Sequence, residues 1–483
     1  MRPPTFLLRH ALSLAALFLF CLSYWIHRYF GQVDVNQIAY HLNFGVDLVR
    51  TSDPVFTRRF VRWCVLAPLL LLLLLALAER HLVLRLPHLP RHWRRRCCRL
   101  QRRLPAALLA AALGFWTWDV SALQAIGAHF GPDYFGAHYV PPAAVALHED
   151  APKNLILIYV ESLESGYADA GAFGRDLIAP LTSLHGVSFP SYEQAPGTGW
   201  TIAALVATQC AVPLERVSIF DGNTQGQMMD SFLARAVCLP DLLAARGYRN
   251  VFLGGASARF AGKDTFLRQH HYQEIYGRDE WLRRGASVRA MNGWGLADAD
   301  LFREARAKLR ELAASGQRFN LSLLTVDTHE PGGPLSAPCA QQGFAPQFDG
   351  IVSCSAAAVA DFVRYAARNG YLENTNVVIV GDHLARKNPL AAQLEQMPRR
   401  AIFNTFLSTQ APAPNRSQLL HFDLLPTILE FIGYRVPGGR LGLGYSGFNQ
   451  HRAQPPAQRL ADMQRDLLNR SPAYLALWQA PAP

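Results

Sequence analysis

The chain has 483 residues, half of them hydrophobic and only 17% charged, with a formal net charge of +11. That length exceeds one ordinary domain, and so low a charged fraction points to a part that lies in a membrane. The basic excess does not make it a nucleic-acid binder: nine arginines sit between Arg80 and Arg103, and without them 38 basic residues face 36 acidic ones.

In chain order, three apolar stretches come first: 6–26, 61–78 with its run LAPLLLLLLLALA, and 104–123. Each is of about spanning length, so residues 1–123 are expected to form an anchor of three transmembrane helices in the lipid bilayer. Arg2 and Arg9 before an apolar core also fit a signal peptide, but no small-residue cleavage site follows, and Leu19 and Phe20 are too bulky for a lipoprotein signal ahead of Cys21. The arginines between the second and third spans mark a cytoplasmic loop, which puts the amino terminus inside and everything after Leu123 outside. Four of the eight cysteines, Cys210, Cys238, Cys339 and Cys354, then fall where disulfides persist. Proximity in sequence favours Cys210 with Cys238 and Cys339 with Cys354 among the three pairings; four small buried hydrophobes is the alternative.

Residues 124–153 are rich in Gly, Pro and aromatics without periodicity and read as a juxtamembrane linker. From residue 154, strand-like runs (154–160, 250–254, 319–326, 376–380, 402–408) alternate with helix-like ones (201–209, 238–246, 298–314, 355–368, 420–432). This pattern predicts one α/β domain over 154–449, a mostly parallel sheet flanked by helices. A polar, proline-bearing tail occupies 450–483.

Two of the strand-like runs end alike: NLILIYVES closes on Glu161, and NVVIVGDH on Asp382 and His383. Ligands bind beyond the carboxyl ends of parallel strands, so these are three candidate metal ligands, although a carboxylate after a strand is more often a solvated loop residue. Gly381 is expected to permit a tight turn there. Carboxylate with imidazole suits Mn²⁺, Zn²⁺ or Fe²⁺ better than Ca²⁺. Between the two runs, GTGWTIAALVATQC brings Thr198 or Thr201 to the start of an apolar helix. Such a threonine is ordinarily a helix N-cap. Beside a metal it is also a candidate alkoxide, with free helix-start N–H groups to hold phosphoryl oxygens. Trp200 would line a wall. His329 and Asp327, in LLTVDTHEP, sit at another strand end, and Arg259 and Lys263, in GGASARFAGKD, can clamp an anionic headgroup; ordinary surface or structural roles are the bland reading of all four.

Taken in order, NLILIYVESLE, GTGWTIAALVATQCAVPL, FLGGASARFAGKDTFLRQH, LLTVDTHEP, VSCS and VVIVGDHLA resemble the membrane-anchored phosphoglycerol transferases of the alkaline phosphatase/sulfatase superfamily. Those that decorate osmoregulated periplasmic glucans in Gram-negative bacteria match most closely, and lipoteichoic acid synthases are related. The resemblance covers most of 150–450. It implies an alkaline phosphatase-like fold and one divalent ion (Mn²⁺, with Zn²⁺ or Mg²⁺ as alternatives) held by Glu161, Thr201, Asp382 and His383. Thr201 would be the nucleophile, and His329 a substrate contact. The implied donor is phosphatidylglycerol, the acceptor a periplasmic glucan, and the location the bacterial inner membrane with a periplasmic catalytic domain.

Three other readings compete. A phosphoethanolamine transferase acting on lipid A or another glycan would share the centre, because headgroup choice lies in residues that sequence does not rank. A sulfatase-like hydrolase needs a C-x-P-x-R nucleophile, and here CAVPLER has its proline and arginine out of register. A non-enzymatic membrane sensor would not need all four central residues.

Overall fold

The computed structural model describes residues 3–479 apart from 32, 34, 43–48, 86, 88–89, 122–125, 215–230, 331 and 449–452. The last two residues of the expected third span, the first two of the linker and the first three of the tail therefore lie outside the described residues. The chain divides into two units: Met1–Ala39 with Asp53–Gly127, and Tyr40–Ser52 with Ala128–Pro483.

The first unit is helical. Leu7–Phe30 and Pro54–Arg85 are each long and apolar enough to cross a membrane, with mean hydropathies of 1.6 and 2.5, which suits membrane anchoring. A widened turn at Val61–Leu66 precedes Pro68, whose missing N–H leaves a carbonyl of the preceding turn without its helical partner. The expected third span is the carboxyl-terminal part of a longer helix, Arg91–Asp119, with Pro105 near the junction. The arginine segment is regular over much of its length: Arg91 to Arg103 are helical, as suits arginine, a good helix former. Arg9 ties the three helices together, donating through Nη2 to Glu79 Oε1 at 3.1 Å and to the Gln101 carbonyl at 2.8 Å.

The second unit is built on a six-stranded sheet: β1 (Asn154–Val160), β2 (Arg249–Gly254), β3 (Glu274–Tyr276), β4 (Phe319–Leu324), β5 (Thr375–Gly381) and β6 (Asn404–Leu407). The spatial order is β3-β2-β4-β1-β5-β6, parallel except for the antiparallel β5–β6 pair. β1 lies at the centre, buried on both faces, which is why it reads as a continuous apolar run. Leu155, Leu157 and Tyr159 face helices Thr201–Cys210 and Leu424–Phe431, whereas Ile156, Ile158 and Val160 face Asp298–Ala314 and Phe348–Arg368. The last of these is long and apolar enough for a span, yet 67% of its window is buried; it is a core helix. It begins at Phe348 rather than near 355, since Ile351 and Val352 are also buried in the core, beyond an amino-terminal turn whose polar residues hide the pattern.

Candidate metal centre

β1 and β5 run side by side with Val160 opposite Gly381, so the first residues past each strand, Glu161 and Asp382, emerge together. Gly381 is required by space and not by a turn conformation: a Cβ there would meet the Leu163 carbonyl at 2.1 Å. Its φ is not in the left-handed region, which corrects the turn expected from sequence; the positive φ, 54°, belongs to Ser162. That turn lets the Ser162 amide donate to Asp382 Oδ1 at 2.7 Å while its hydroxyl donates to Glu161 Oε1 at 2.7 Å. Glu164, fully buried and paired with Arg400, accepts from the Ala385 amide at 2.8 Å and binds the two strand-end loops together.

Glu161, Asp382 and His383 are all buried, and one ligand atom from each lies within 4.8 Å of the others. The His383 Nδ1–H donates to the Leu384 carbonyl at 2.9 Å, which leaves Nε2 facing Glu161 Oε1 and Asp382 Oδ2, each at 3.5 Å. Asp382 Oδ2 is buried with no hydrogen-bond partner among the described residues. Burial, with Glu161 adding to it, pushes the Asp382 carboxyl up to about 7. Burial opposes charge on His383 too, but Asp382 and Glu161 outweigh it and raise that pKa; Glu161, also desolvated, is brought below its ordinary value by His329 and His383. An unsatisfied carboxylate oxygen among converging buried acids and an imidazole fits a divalent cation, which supplies the missing partner.

Thr201 is the first residue of its helix. The N-cap is Trp200, with no side-chain cap bond, so the capping explanation for Thr201 does not hold. Its hydroxyl instead donates to Glu161 Oε2 at 3.2 Å. The competing Thr198 is fully buried and donates to the Ala195 carbonyl at 2.6 Å, with His421 Nδ1 at 3.2 Å. It shapes the turn and is not presented to a substrate.

The remaining candidates separate. His329 joins Glu161 and Glu330 in a second group of converging ligand atoms, its Nδ1–H donating to the Glu330 carbonyl at 2.8 Å. Lys263 is buried, and burial brings its pKa down to about 8 against the pull of Glu161, Asp264 and Asp382. Arg259 is exposed. Trp200 is 7% exposed and belongs to the wall beside Thr201. Asp327 does not join the group: Oδ1 accepts from Asn292 Nδ2 at 2.7 Å and Oδ2 from the Asp298 amide at 3.1 Å. Each of its oxygens thus already accepts one hydrogen bond inside the fold. Cys210 is bonded to Cys238 and Cys339 to Cys354. Cys210, the cysteine of CAVPLER, is therefore no nucleophile.

His421 escaped the sequence reading. It is fully buried, its Nε2–H donates to the Asp382 carbonyl at 2.7 Å, and burial lowers its pKa to about 4. Neutral and fixed, it links the Asp382 backbone to the Thr198 turn that precedes the nucleophile candidate. A lone histidine in LLHFDLLP carries no signal of that role, because both partners are far away in sequence.

The sheet, the strand-end ligands and the helix-start hydroxyl define an alkaline phosphatase-like α/β domain with a candidate metal centre. The sequence pattern of the sulfatase family matches residues 153–434. That is more than half of the 483 residues, and the chain belongs to the sulfatase family. It is 35% identical over 363 residues to phosphoglycerol transferase I of Escherichia coli strain K12, a match covering 72% of this chain and 45% of that protein. The chain thus matches less than half the length of that relative. Among solved structures it is similar to a lipoteichoic acid synthase from Listeria monocytogenes, with 18% identity, 72% of this chain and 81% of the other covered, and a TM-score of 0.48. A Streptococcus pyogenes phosphoglycerol transferase in complex with sn-glycerol-1-phosphate gives 13% identity, 72% and 91% coverage and a TM-score of 0.45.

Proposed function

We propose that the chain transfers a phosphoglycerol group from phosphatidylglycerol to a periplasmic glucan, through a covalent adduct on Thr201. The observation that carries this reading is the Thr201 hydroxyl, uncommitted to capping, held 3.2 Å from Glu161 at the mouth of the Glu161–Asp382–His383 cluster. The 35% identity to a phosphoglycerol transferase supports the choice of group.

In this reading Glu161, Asp382, His383 and Thr201 hold one divalent ion, Mn²⁺ in preference to Zn²⁺ or Mg²⁺. When bound, it lowers the threonine pKa and offsets charge developing on the phosphoryl oxygens. Thr201 Oγ1 bonds to phosphorus as the bond from phosphorus to the diacylglycerol oxygen breaks, and its proton leaves toward Glu161 Oε2. Lys263 balances charge on the phosphodiester, and His329 protonates the departing diacylglycerol oxygen. A glucan hydroxyl then attacks the adduct and gives its proton to His329 as the new phosphodiester forms; the bond from phosphorus to Thr201 Oγ1 breaks, and the threonine oxygen recovers its proton from Glu161. Residues 1–123 form the anchor, with three spans and a cytoplasmic amino terminus. The linker 124–153, the domain 154–449 and the tail 450–483 lie on the periplasmic side of the inner membrane, beside the lipid donor.

Purified protein given headgroup-labelled phosphatidylglycerol or phosphatidylethanolamine, with and without glucan, tests this. Label is expected to pass from phosphatidylglycerol to protein and then to glucan. Label from phosphatidylethanolamine alone would make the chain a phosphoethanolamine transferase.

A further inference from the structure

The turn that carries Lys263 is strained. Ala261 has a φ of 55° and Gly262 one of 73°, two consecutive left-handed residues directly before the lysine. Glycine adopts that region freely, whereas alanine is disfavoured there because its Cβ crowds the backbone. Such a conformation persists only where surrounding contacts hold it.

The contact is supplied from far away in sequence. The Tyr40 hydroxyl donates to the Ala261 carbonyl at 2.7 Å, and Tyr40 is 1% exposed. Tyr40 belongs to the same compact unit as the α/β domain although it precedes it by about a hundred positions, and only nine residues separate it from Phe30, the end of the first apolar helix. The Tyr40 ring also lies 6.2 Å from that of Trp200, beside Thr201, and His41 lies 6.4 Å from both Trp200 and Phe260. Phe260 continues to Trp294 at 5.3 Å, and Trp294 to His329 at 4.2 Å. An aromatic wall therefore runs from Trp200 to His329, with His41 joining Trp200 to Phe260 and Tyr40 beside Trp200.

We propose that Tyr40 is a positioning residue for the anion-binding lysine: by donating to the Ala261 carbonyl it holds the left-handed Ala261–Gly262 turn that sets Lys263 toward the phosphoryl group of the donor. This rests on the phosphoryl-transfer reading above and adds to it a residue outside the sulfatase-like domain. The ligand class is an anionic phosphodiester or phosphomonoester; Lys263 supplies the charge and Tyr40 the geometry. Burial of a lysine beside two carboxylates makes the geometry matter, since an ammonium with no fixed direction would turn toward Glu161 or Asp382 instead.

The test uses the full-length protein in detergent with Mn²⁺, and reads glycerol phosphate binding by titration calorimetry beside kcat and KM for phosphatidylglycerol. Tyr40→Phe keeps the ring and removes the hydrogen bond. It is expected to weaken glycerol phosphate binding and raise donor KM about five- to tenfold with kcat little changed. Ala261→Gly, which relieves the strain, is expected to restore most of that loss when added to Tyr40→Phe. Lys263→Met is expected to lose more binding, and adding Tyr40→Phe to it to cost nothing further. Unchanged binding and KM in Tyr40→Phe, or a full additive loss on top of Lys263→Met, would overturn the proposal while wild-type transfer continues. A wild-type protein that neither binds glycerol phosphate nor transfers the group sinks the phosphoryl-transfer reading itself, and the proposal with it.

Discussion

Two pairs of buried carboxylates stand near the ends of neighbouring strands, and the chain treats them differently. In the pair of Asp327, beyond β4, and Asp298, the first residue of the helix Asp298–Ala314, every carboxylate oxygen accepts a hydrogen bond: Asp298 Oδ1 from the Val326 amide at 2.7 Å, Asp298 Oδ2 from the Ser355 hydroxyl at 2.7 Å, and both Asp327 oxygens from Asn292 and the Asp298 amide. In the Glu161–Asp382 pair, beyond β1 and β5, Asp382 Oδ2 has no hydrogen bond among the described residues, only His383 Nε2 at 3.5 Å, and Glu161 faces a threonine hydroxyl and two imidazoles. Burial raises Asp298 to about 6 and Asp382 to about 7, so perturbation alone does not tell the two apart. Satisfaction does. The closed pair reads as a structural clasp, and the open pair is the candidate cation site.

The sharpest way to break this contrast is at the open pair. Thr201→Ala is expected to lower transfer at least about a thousandfold with the melting temperature retained, because it removes the attacking hydroxyl, and with it one of the four proposed ligands, while Glu161, Asp382 and His383 stay in place. Transfer within tenfold of wild type would remove Thr201 from the chemistry. Asp382→Asn is expected to abolish stoichiometric metal binding, read by elemental analysis after dialysis, since it replaces a carboxylate of the proposed ligand set, one of whose buried oxygens has no hydrogen bond among the described residues. Full metal occupancy in that variant would mean that the open pair is not the site.

The closed pair should answer in stability and not in metal. Asp298→Ala strands the Val326 and Asp327 amides and the Ser355 hydroxyl, and is expected to cost about 1–3 kcal/mol per group left unsatisfied, with metal content unchanged. Loss of metal in a folded Asp298→Ala protein would erase the distinction drawn here. A smaller effect is expected of His421→Gln, which loosens the Asp382 backbone: metal affinity weakened about 10- to 100-fold, with the fold kept.

The smallest expected effect is in the pH dependence of the metal-free protein. Asp382 keeps its proton in the folded state up to about pH 7, well above its value in an unfolded chain, so its stabilising contribution is lost as pH rises through 7. His383, also raised, acts in the same direction. His421, lowered to about 4, acts oppositely but only between about pH 4 and its unfolded value near 6.5. Between pH 6.5 and 8 the melting temperature of metal-free protein is therefore expected to fall more than that of metal-loaded protein, whose ligands are already deprotonated. Parallel curves would contradict the assignment of Asp382 and His383 as ligands.

Much of this was legible before any coordinates. Strands buried on both faces write themselves as apolar runs, and the polar residue that ends each run lands at the carboxyl edge of the sheet; Glu161, Asp382 and His383 came from that rule alone. What the rule cannot say is whether a carboxylate is already satisfied. Asp327 and Asp382 look alike in sequence, and only the long-range partners Asn292 and Asp298 distinguish them. His421 and Tyr40 were hidden for the same reason, each acting through partners far along the chain. The amino-terminal turn of Phe348–Arg368 was missed because polar residues interrupt its apolar pattern.

The most direct measurement is intact-mass and peptide mapping of the Mn²⁺-loaded protein after incubation with phosphatidylglycerol and no glucan. A glycerophosphoryl adduct on Thr201, discharged when glucan is added and missing from Thr201→Ala, is the expected result. An adduct on another residue, or transfer to glucan that proceeds unchanged in Thr201→Ala, would contradict the account.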